Sequence, residues 1–203
     1  MIEFDIFVKP VTLGCVGSSV RAVLGPDIEF YRRGDTICIP GSSLKGALRS
    51  SASRVARVYG FESCDEVRPE RMKPCDVCKL FGGPGDLPSL LVGDLEPVEQ
   101  TQRIIITRVK INDKSLRAEE GGLYTQEHVL FSEFRGKVII LNPEKRLLGL
   151  LLLAIAELRL DRVGRNTVLD VRLERTESLQ AEIEPRWMEL LEGLKKWLWE
   201  GKV

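Results

Sequence analysis

Residues 38–51, CIPGSSLKGALRSS, place a Pro-Gly turn and two serines ahead of Lys45 and Arg49, with Arg54 just downstream. Lys45 and Arg49 stand one helical turn apart, so a helix beginning here turns both to one side. A helix N-terminus presents unbonded backbone N–H groups and the positive end of its dipole, which attract anions. Gly41 permits close backbone approach, and Ser42 and Ser43 add donors, although either serine also suits an ordinary N-cap. Two uses follow. One is a phosphate-holding surface built from Gly41, Ser42, Ser43, Lys45, Arg49, Arg54 and Arg57; the other is a capped structural helix with a solvated basic face. A Walker-type loop is unsupported, because its glycine and Gly-Lys-Ser/Thr spacing is absent.

Cys64, Cys75 and Cys78 form a second constellation, Cys-x10-Cys-x2-Cys. Thiolates at x2 spacing can bind one ion, and a loop-rich segment without a core gains stability from a tetrahedral zinc. The fourth ligand stays open between His128, Glu62, Asp65 and a cysteine from elsewhere; free, partly buried thiols are the alternative. Cys15 and Cys38 read as small core residues on strands flanking the first loop.

The elements that must position these groups follow from periodicity. IEFDIFVKPVTL alternates at Ile2, Phe4, Ile6 and Val8 as a strand does. A Gly/Ser-rich loop spans 14–34, and the helix opened by the junction runs to about Tyr59, where Gly60 suits a C-cap. Residues 61–89 read as an irregular insertion. LLVGDLEPV and RIIITRVKI read as strands, residues 114–134 as a polar excursion, and GKVIIL as a strand. Asn142-Pro143-Glu144 is a helix start, and the apolar run 147–158 a buried helix too short to span a bilayer. TVLDVRLE is a last strand. From Pro185 an amphipathic helix carries Trp187, Leu190, Leu191, Leu194, Trp197 and Leu198 on one stripe, expected to pack on the core sheet. The fold class is α+β, a ferredoxin-like βαββαβ core with long insertions and an extra C-terminal helix. Residues 1–175 form the domain, with insertion 61–89, and residues 176–203 the helical tail.

Composition restricts the partners. Of 203 residues, 43% are hydrophobic, enough for a sizeable core, and 30 basic residues cancel 30 acidic ones. Binding by nonspecific DNA attraction needs a basic excess, so any nucleic-acid surface here is local. The opening MIEFDIFVKP lacks a signal-peptide pattern, and with the clustered cysteines this suggests a cytoplasmic protein without a membrane partner.

IPGSSLKGALR resembles the signature of the RAMP superfamily of CRISPR-associated proteins, specifically the backbone subunits of type III effector complexes. CDVCKLFGG (75–83) is similar to that group's Cys-x-x-Cys-x-Leu-Phe-Gly segment, and residues 103–134 to its Arg…Gly-x-Leu-Tyr…Glu-x-Val…Phe pattern, in the same order. The resemblance implies an RRM-like core that holds CRISPR guide RNA for pairing with target RNA, in antiviral defence, beside other RAMP subunits. It implies guide contacts through the junction, Arg108, Arg162 and Arg165, and a thumb over 103–134 carrying Leu123, Tyr124, Val129 and Phe134. The C-terminal glycine-rich loop of such proteins is reduced here to RVGRNTVLDV. Catalytic relatives cleave target RNA with a loop aspartate and magnesium or manganese. Ser19 replaces that aspartate of one active subgroup; another subgroup has its aspartate later, before a Pro-Ile-Gln-Arg-like segment, and the resemblance of LGPDIEFYRRGD to that stretch implies Asp27 as the candidate, although an Asp after Gly-Pro is equally an ordinary turn residue. Three functions are therefore in play: an RNA-binding subunit, a metal-dependent endoribonuclease acting through Asp27, and a zinc-stabilised protein-interaction module.

Overall fold

β1 (Ile2–Pro10) is the central strand. In a computed structural model that describes residues 1–17, 25–66, 68–84, 87–130 and 132–199, it is followed by a small pair, β2 (Arg32–Arg33) and β3 (Thr36–Ile37). Then come α1 (Gly41–Ala56), α2 (Asp76–Phe81), β4 (Leu90–Val92) and β5 (Glu96–Pro97). A long hairpin, β6 (Gln102–Ile111) and β7 (Ala118–Leu130), precedes β8 (Phe134–Ile140) and α3 (Lys145–Leu158). The chain closes with β9 (Arg162–Val163), β10 (Thr167–Glu174), α4 (Glu177–Glu182) and α5 (Met188–Leu194). The main sheet has the order β4-β8-β1-β10-β9, and β1 is antiparallel to both neighbours. This mixed α+β arrangement with an antiparallel sheet is consistent with a ferredoxin-like fold.

The alternation of β1 sends Ile2, Phe4, Ile6 and Val8 into the core. They meet the stripe Leu44, Leu48, Ala52 and Ala56 of α1 and the leucines of α3. α3 is buried at every position from Leu147 to Ile155 because α1, α2, α5 and the sheet all pack on it. That explains a continuous apolar run where a surface helix would show a stripe. The opposite face of the sheet is charged: Arg135 donates to Asp5 at 2.6 Å, Lys137 pairs with Glu3 at 2.5 Å, and Arg172 lies 4.8 Å from the Phe7 ring and 5.0 Å from Trp197.

Several sequence expectations need correction. LLVGDLEPV is two strands, not one, because its pairing with β8 slips by one residue between Val92↔Val138 and Glu96↔Arg135: Gly93 still donates to the Lys137 carbonyl at 2.9 Å, while Asp94 turns to α1 and Leu95 bridges to Ile39. The insertion is not wholly irregular; it contains α2, and the polar excursion is mostly the strand β7. α3 starts at Lys145, since the Glu144 carbonyl, not Asn142, accepts the first helical N–H groups. The tail is α4, a 3-10 turn and α5, ending at Leu194, so Trp197 and Leu198 lie beyond the helix. α5 packs mainly on α3, where a Cβ on Gly149 would fall 2.2 Å from Nε1 of Trp187, whereas α4 lies on β1 of the sheet, Ser178 Oγ accepting from the Glu3 N–H at 3.3 Å and donating to its carbonyl at 2.9 Å.

The tail is anchored by a buried ion pair. β9 covers only the first two residues of β10, leaving the rest of that edge open. There the Val171 carbonyl accepts from Arg159 Nε at 3.0 Å, and the Val171 N–H donates to Asp170 Oδ1 at 2.8 Å. Arg159 and Asp170 are themselves 3.4 Å apart. Arg159 also donates to the Lys196 carbonyl, and the Trp199 N–H donates to Asp170 Oδ2 at 2.9 Å. Replacing Asp170 with alanine should therefore cost about 3 kcal/mol or more in urea unfolding, because a buried guanidinium loses its counter-charge. A loss under about 1 kcal/mol would contradict this anchoring role.

Candidate functional site

α1 begins two residues earlier than a Ser42 cap would place it. Pro40 is the N-cap, with no side-chain cap bond, and its carbonyl accepts from the Ser43 and Leu44 N–H groups at 3.0 and 3.2 Å. The Gly41 N–H donates to Asp94 Oδ1 at 2.9 Å. A Cβ at Gly41 would lie 2.2 Å from the Val92 carbonyl oxygen, so only glycine fits. Ser42 and Ser43 are thus not caps but first-turn residues, and the close approach at Gly41 serves the protein's own strand linker. The anion at this helix start is Asp94, itself 3.4 Å from Arg33.

The cations of α1 divide into paired and unpaired groups. Arg54 bonds Glu157 at 3.1 Å and Asp161 at 2.6 Å, tying α1 to α3 and the turn after it. Arg57 pairs with Asp65. Arg49 donates to the Gly82 carbonyl at 2.6 Å and reaches Cys78 Sγ at 3.3 Å. Lys45 is half-buried and forms no ion pair among the described residues; burial and then Arg49 lower its pKa. Arg162 and Arg165 are exposed, although Arg162 bonds Asn166 Oδ1 at 3.0 Å. Gly164 has φ 62°, and its Cβ would fall 2.6 Å from the Cys15 carbonyl oxygen, so this short loop is pressed against residue 15. Arg108 is half-buried on β6, across from Tyr124.

The hairpin carries a loop on its flank. Ile28 donates to the Thr125 carbonyl at 3.0 Å, and the Glu127 N–H donates back to Ile28 at 2.8 Å. Buried Glu127 also accepts from the Phe30 N–H at 3.0 Å and from Arg32 at 2.6 Å. Exposed Asp27 accepts from the Thr125 N–H at 2.8 Å and its hydroxyl at 2.9 Å, so this carboxylate clamps the loop to β7. Ser19 lies outside the described residues. Of the expected thumb residues, Leu123 is 70% exposed and Tyr124 half-buried, whereas Val129 and Phe134 belong to the core, Phe134 stacking on Phe30 at 6.0 Å.

The sulfurs of Cys64, Cys75 and Cys78 lie within 4.8 Å of one another, so these three could hold a metal such as zinc. The Cys78 N–H donates to Cys75 Sγ at 3.4 Å. Burial alone would raise the Cys64 thiol, but the Lys73 and Glu66 N–H groups and the two neighbouring thiols outweigh it and bring it down to about 7. Cys78 is pushed up to about 12 by burial and by the other two cysteines. One sulfur poised as thiolate and two that must lose protons is a donor set suited to a thiophilic divalent cation. His128 is not part of it. It is buried on β7 with Nδ1 3.0 Å from the Gly14 carbonyl, and burial lowers its pKa, so the ring is neutral and occupied in the core. Among the described residues neither Glu62 nor Asp65 joins the sulfur cluster, and Asp65 is spent on Arg57.

The sequence pattern of the RAMP superfamily matches residues 15–168. The chain belongs to the RAMP superfamily. No curated protein matches it. Membership places this RAMP protein among CRISPR-associated proteins and points to an RNA-binding role with CRISPR complex partners in general. The matched span holds the junction, the insertion, the hairpin and α3, and leaves out most of β10 and the tail. No helix among the described residues is long and apolar enough to cross a membrane. Sequence reasoning missed Asp94, Thr125 and Glu127, whose roles come from partners 53 to 98 residues away.

Chelator-stripped protein should show iodoacetamide labelling of Cys64 that rises with pH about a midpoint near 7. The sign follows because the thiolate is the reactive form. Protein prepared without chelator should contain about one zinc per chain and lose it in a Cys75→Ser, Cys78→Ser double variant. Hydrogen exchange should then accelerate in residues 61–89 and not in the sheet. A metal-free wild-type protein with full protection of that segment would refute the metal reading.

Proposed function

We propose that this RAMP protein is an RNA-binding backbone-type subunit of a type III CRISPR effector complex, holding guide RNA for pairing with target RNA beside other RAMP subunits in the cytoplasm. The observation that carries the proposal is the superfamily match over residues 15–168, joined to a hairpin that stands on its own two-stranded sheet beside the main one. On this reading residues 1–175 are one RRM-like unit with a βαββαβ core, residues 61–89 a zinc-held insertion, and residues 103–134 the thumb. The tail at 176–203 is an intramolecular brace. Its apolar stripe is spent on α3, which weighs against the reading as a protein-interaction module.

Pairing within the chain supports a narrower set of RNA-facing cations. Arg49, Arg54 and Arg57 are occupied by partners within the chain. Lys45, Arg108, Arg162 and Arg165 are the members of the predicted set that form no ion pair among the described residues, and are the ones proposed to meet phosphates. Gly41, Ser42 and Ser43 then frame the surface. Such contacts position a nucleic acid without reading its sequence. The triple variant Lys45→Ala, Arg162→Ala, Arg165→Ala should bind unrelated single-stranded RNAs roughly tenfold or more weakly, and lower the salt slope by about 2. Fluorescence anisotropy across salt concentrations measures both, and an unchanged affinity and slope would sink the interface.

The endoribonuclease reading has one supporting observation, an exposed carboxylate held in place by two hydrogen bonds from Thr125. For an architectural subunit, the assembled, target-bound complex should show no magnesium- or manganese-dependent cutting opposite this chain. Cutting that Asp27→Asn abolishes, with assembly intact, would establish the catalytic reading instead.

A further inference from the structure

Two segments of the insertion begin alike, Cys64-Asp-Glu-Val67 and Cys75-Asp-Val-Cys78. In each, later backbone N–H groups point at the first sulfur, Glu66 and Lys73 at Cys64 and Cys78 at Cys75. A four-cysteine site would use the fourth position of both segments. Cys78 fills it in one, but valine stands there in the other, at a position outside the described residues. The sulfur cluster accordingly has three members.

The open side of that cluster can be located. Behind Cys78 the space is closed by Arg49, whose Nη2 is 3.3 Å from Sγ, and by Gly83, whose Cβ would fall 3.1 Å from the Cys78 Cβ. Cys64 and Cys75 instead line a cleft of about 660 Å³ with Arg57, Arg71 and Lys73 on its walls. Arg57 is neutralised by Asp65, while Arg71 and Lys73 form no ion pair among the described residues. Glu62 and Glu66 also line the cleft, yet neither carboxylate approaches all three sulfurs. Three thiolates around a divalent cation carry a net charge of about −1, which Arg49 balances from behind.

We propose that this three-cysteine centre, when loaded, leaves its fourth coordination position open to the Arg57–Arg71–Lys73 cleft, where it takes an exogenous oxygen donor, water exchangeable for phosphate. Three protein ligands and an exchangeable fourth characterise zinc sites that bind ligands, whereas purely structural sites are closed by four protein groups. The inference rests on metal binding by the cysteines and is independent of the RNA-binding reading.

Cobalt(II) substitution tests it, because the visible d–d bands of cobalt report the fourth ligand. Adding inorganic phosphate to the cobalt-loaded full chain should shift the bands at constant cobalt content. Arg71→Ala with Lys73→Ala should weaken that response roughly tenfold by removing the charge-assisted contacts. Val67→Cys should give the bands of a four-thiolate site and abolish the response. Bands in the wild type that ignore saturating phosphate would overturn the proposal, as would failure to take up cobalt. So would a changed spectrum, before any phosphate is added, in Glu62→Ala or Glu66→Ala, since it would mark a protein carboxylate as the fourth ligand.

Discussion

One hydrogen bond, from the Gly41 N–H to Asp94, sets where α1 begins, and it forms in a space that admits no side chain. Asp94 sits where the pairing with β8 slips by one residue, between β4 and β5. The same contact places Arg33 opposite Asp94 and fixes β2 and β3 beside the helix start. With its first turn satisfied by Asp94 and Pro40, the helix offers the solvent mainly side chains, not the bare N–H groups that make a helix end an anion site. On the proposed RNA-binding reading, recognition by this helix would depend on half-buried Lys45 and the serine hydroxyls more than on its dipole.

Local chemistry made much of the fold legible. The period of two in Ile2, Phe4, Ile6 and Val8, the apolar run of α3 and the cysteine spacing each report the environment of the residue that carries them. What stayed hidden depends on pairing across the chain. Asp27 reads as a turn residue, and only the register of β7 brings Thr125 to it. Four cations on α1 and the turn that follows it look like a basic face until α3, the insertion and the cysteines claim three of them. A lone histidine near metal-binding thiols in composition is, in space, a core residue under Gly14. Charge and donor type can be counted along a sequence, but whether they are already spent cannot.

The tail addresses a different liability. An edge strand with open N–H and C=O groups is a template for pairing with another chain. Along β10 these groups at Val171 go to Asp170 and Arg159, and the same two side chains hold the backbone at Lys196 and Trp199. Burial lowers the Arg159 pKa and the Asp170 charge opposes that, so the ion pair carries a desolvation cost that hydrogen bonds to two backbone segments offset. Hydrophobic packing of Trp187 on Gly149 then needs only to keep α5 in reach.

These features place Arg49 at the point where the site's two halves meet. Its backbone belongs to the helix that carries the IPGSSLKGALR signature, while its guanidinium ends on Cys78 and Gly82 in the insertion. A cation so placed cannot serve the RNA surface without leaving a buried sulfur and a carbonyl, and its removal would leave the negative cysteine centre unbalanced. The signature arginine is thus better explained as the joint between helix and insertion than as a phosphate contact. The insertion is held to the core by buried Val77, Leu80 and Phe81 and by the Asp76–Arg146 pair at 3.0 Å, and the contact of Arg49 with Cys78 adds a link that depends on the protonation of the thiols. Any change at the cysteines is then felt first along α1, at Lys45 one turn away, where the effect on Lys45 of its Arg49 neighbour is already repulsive.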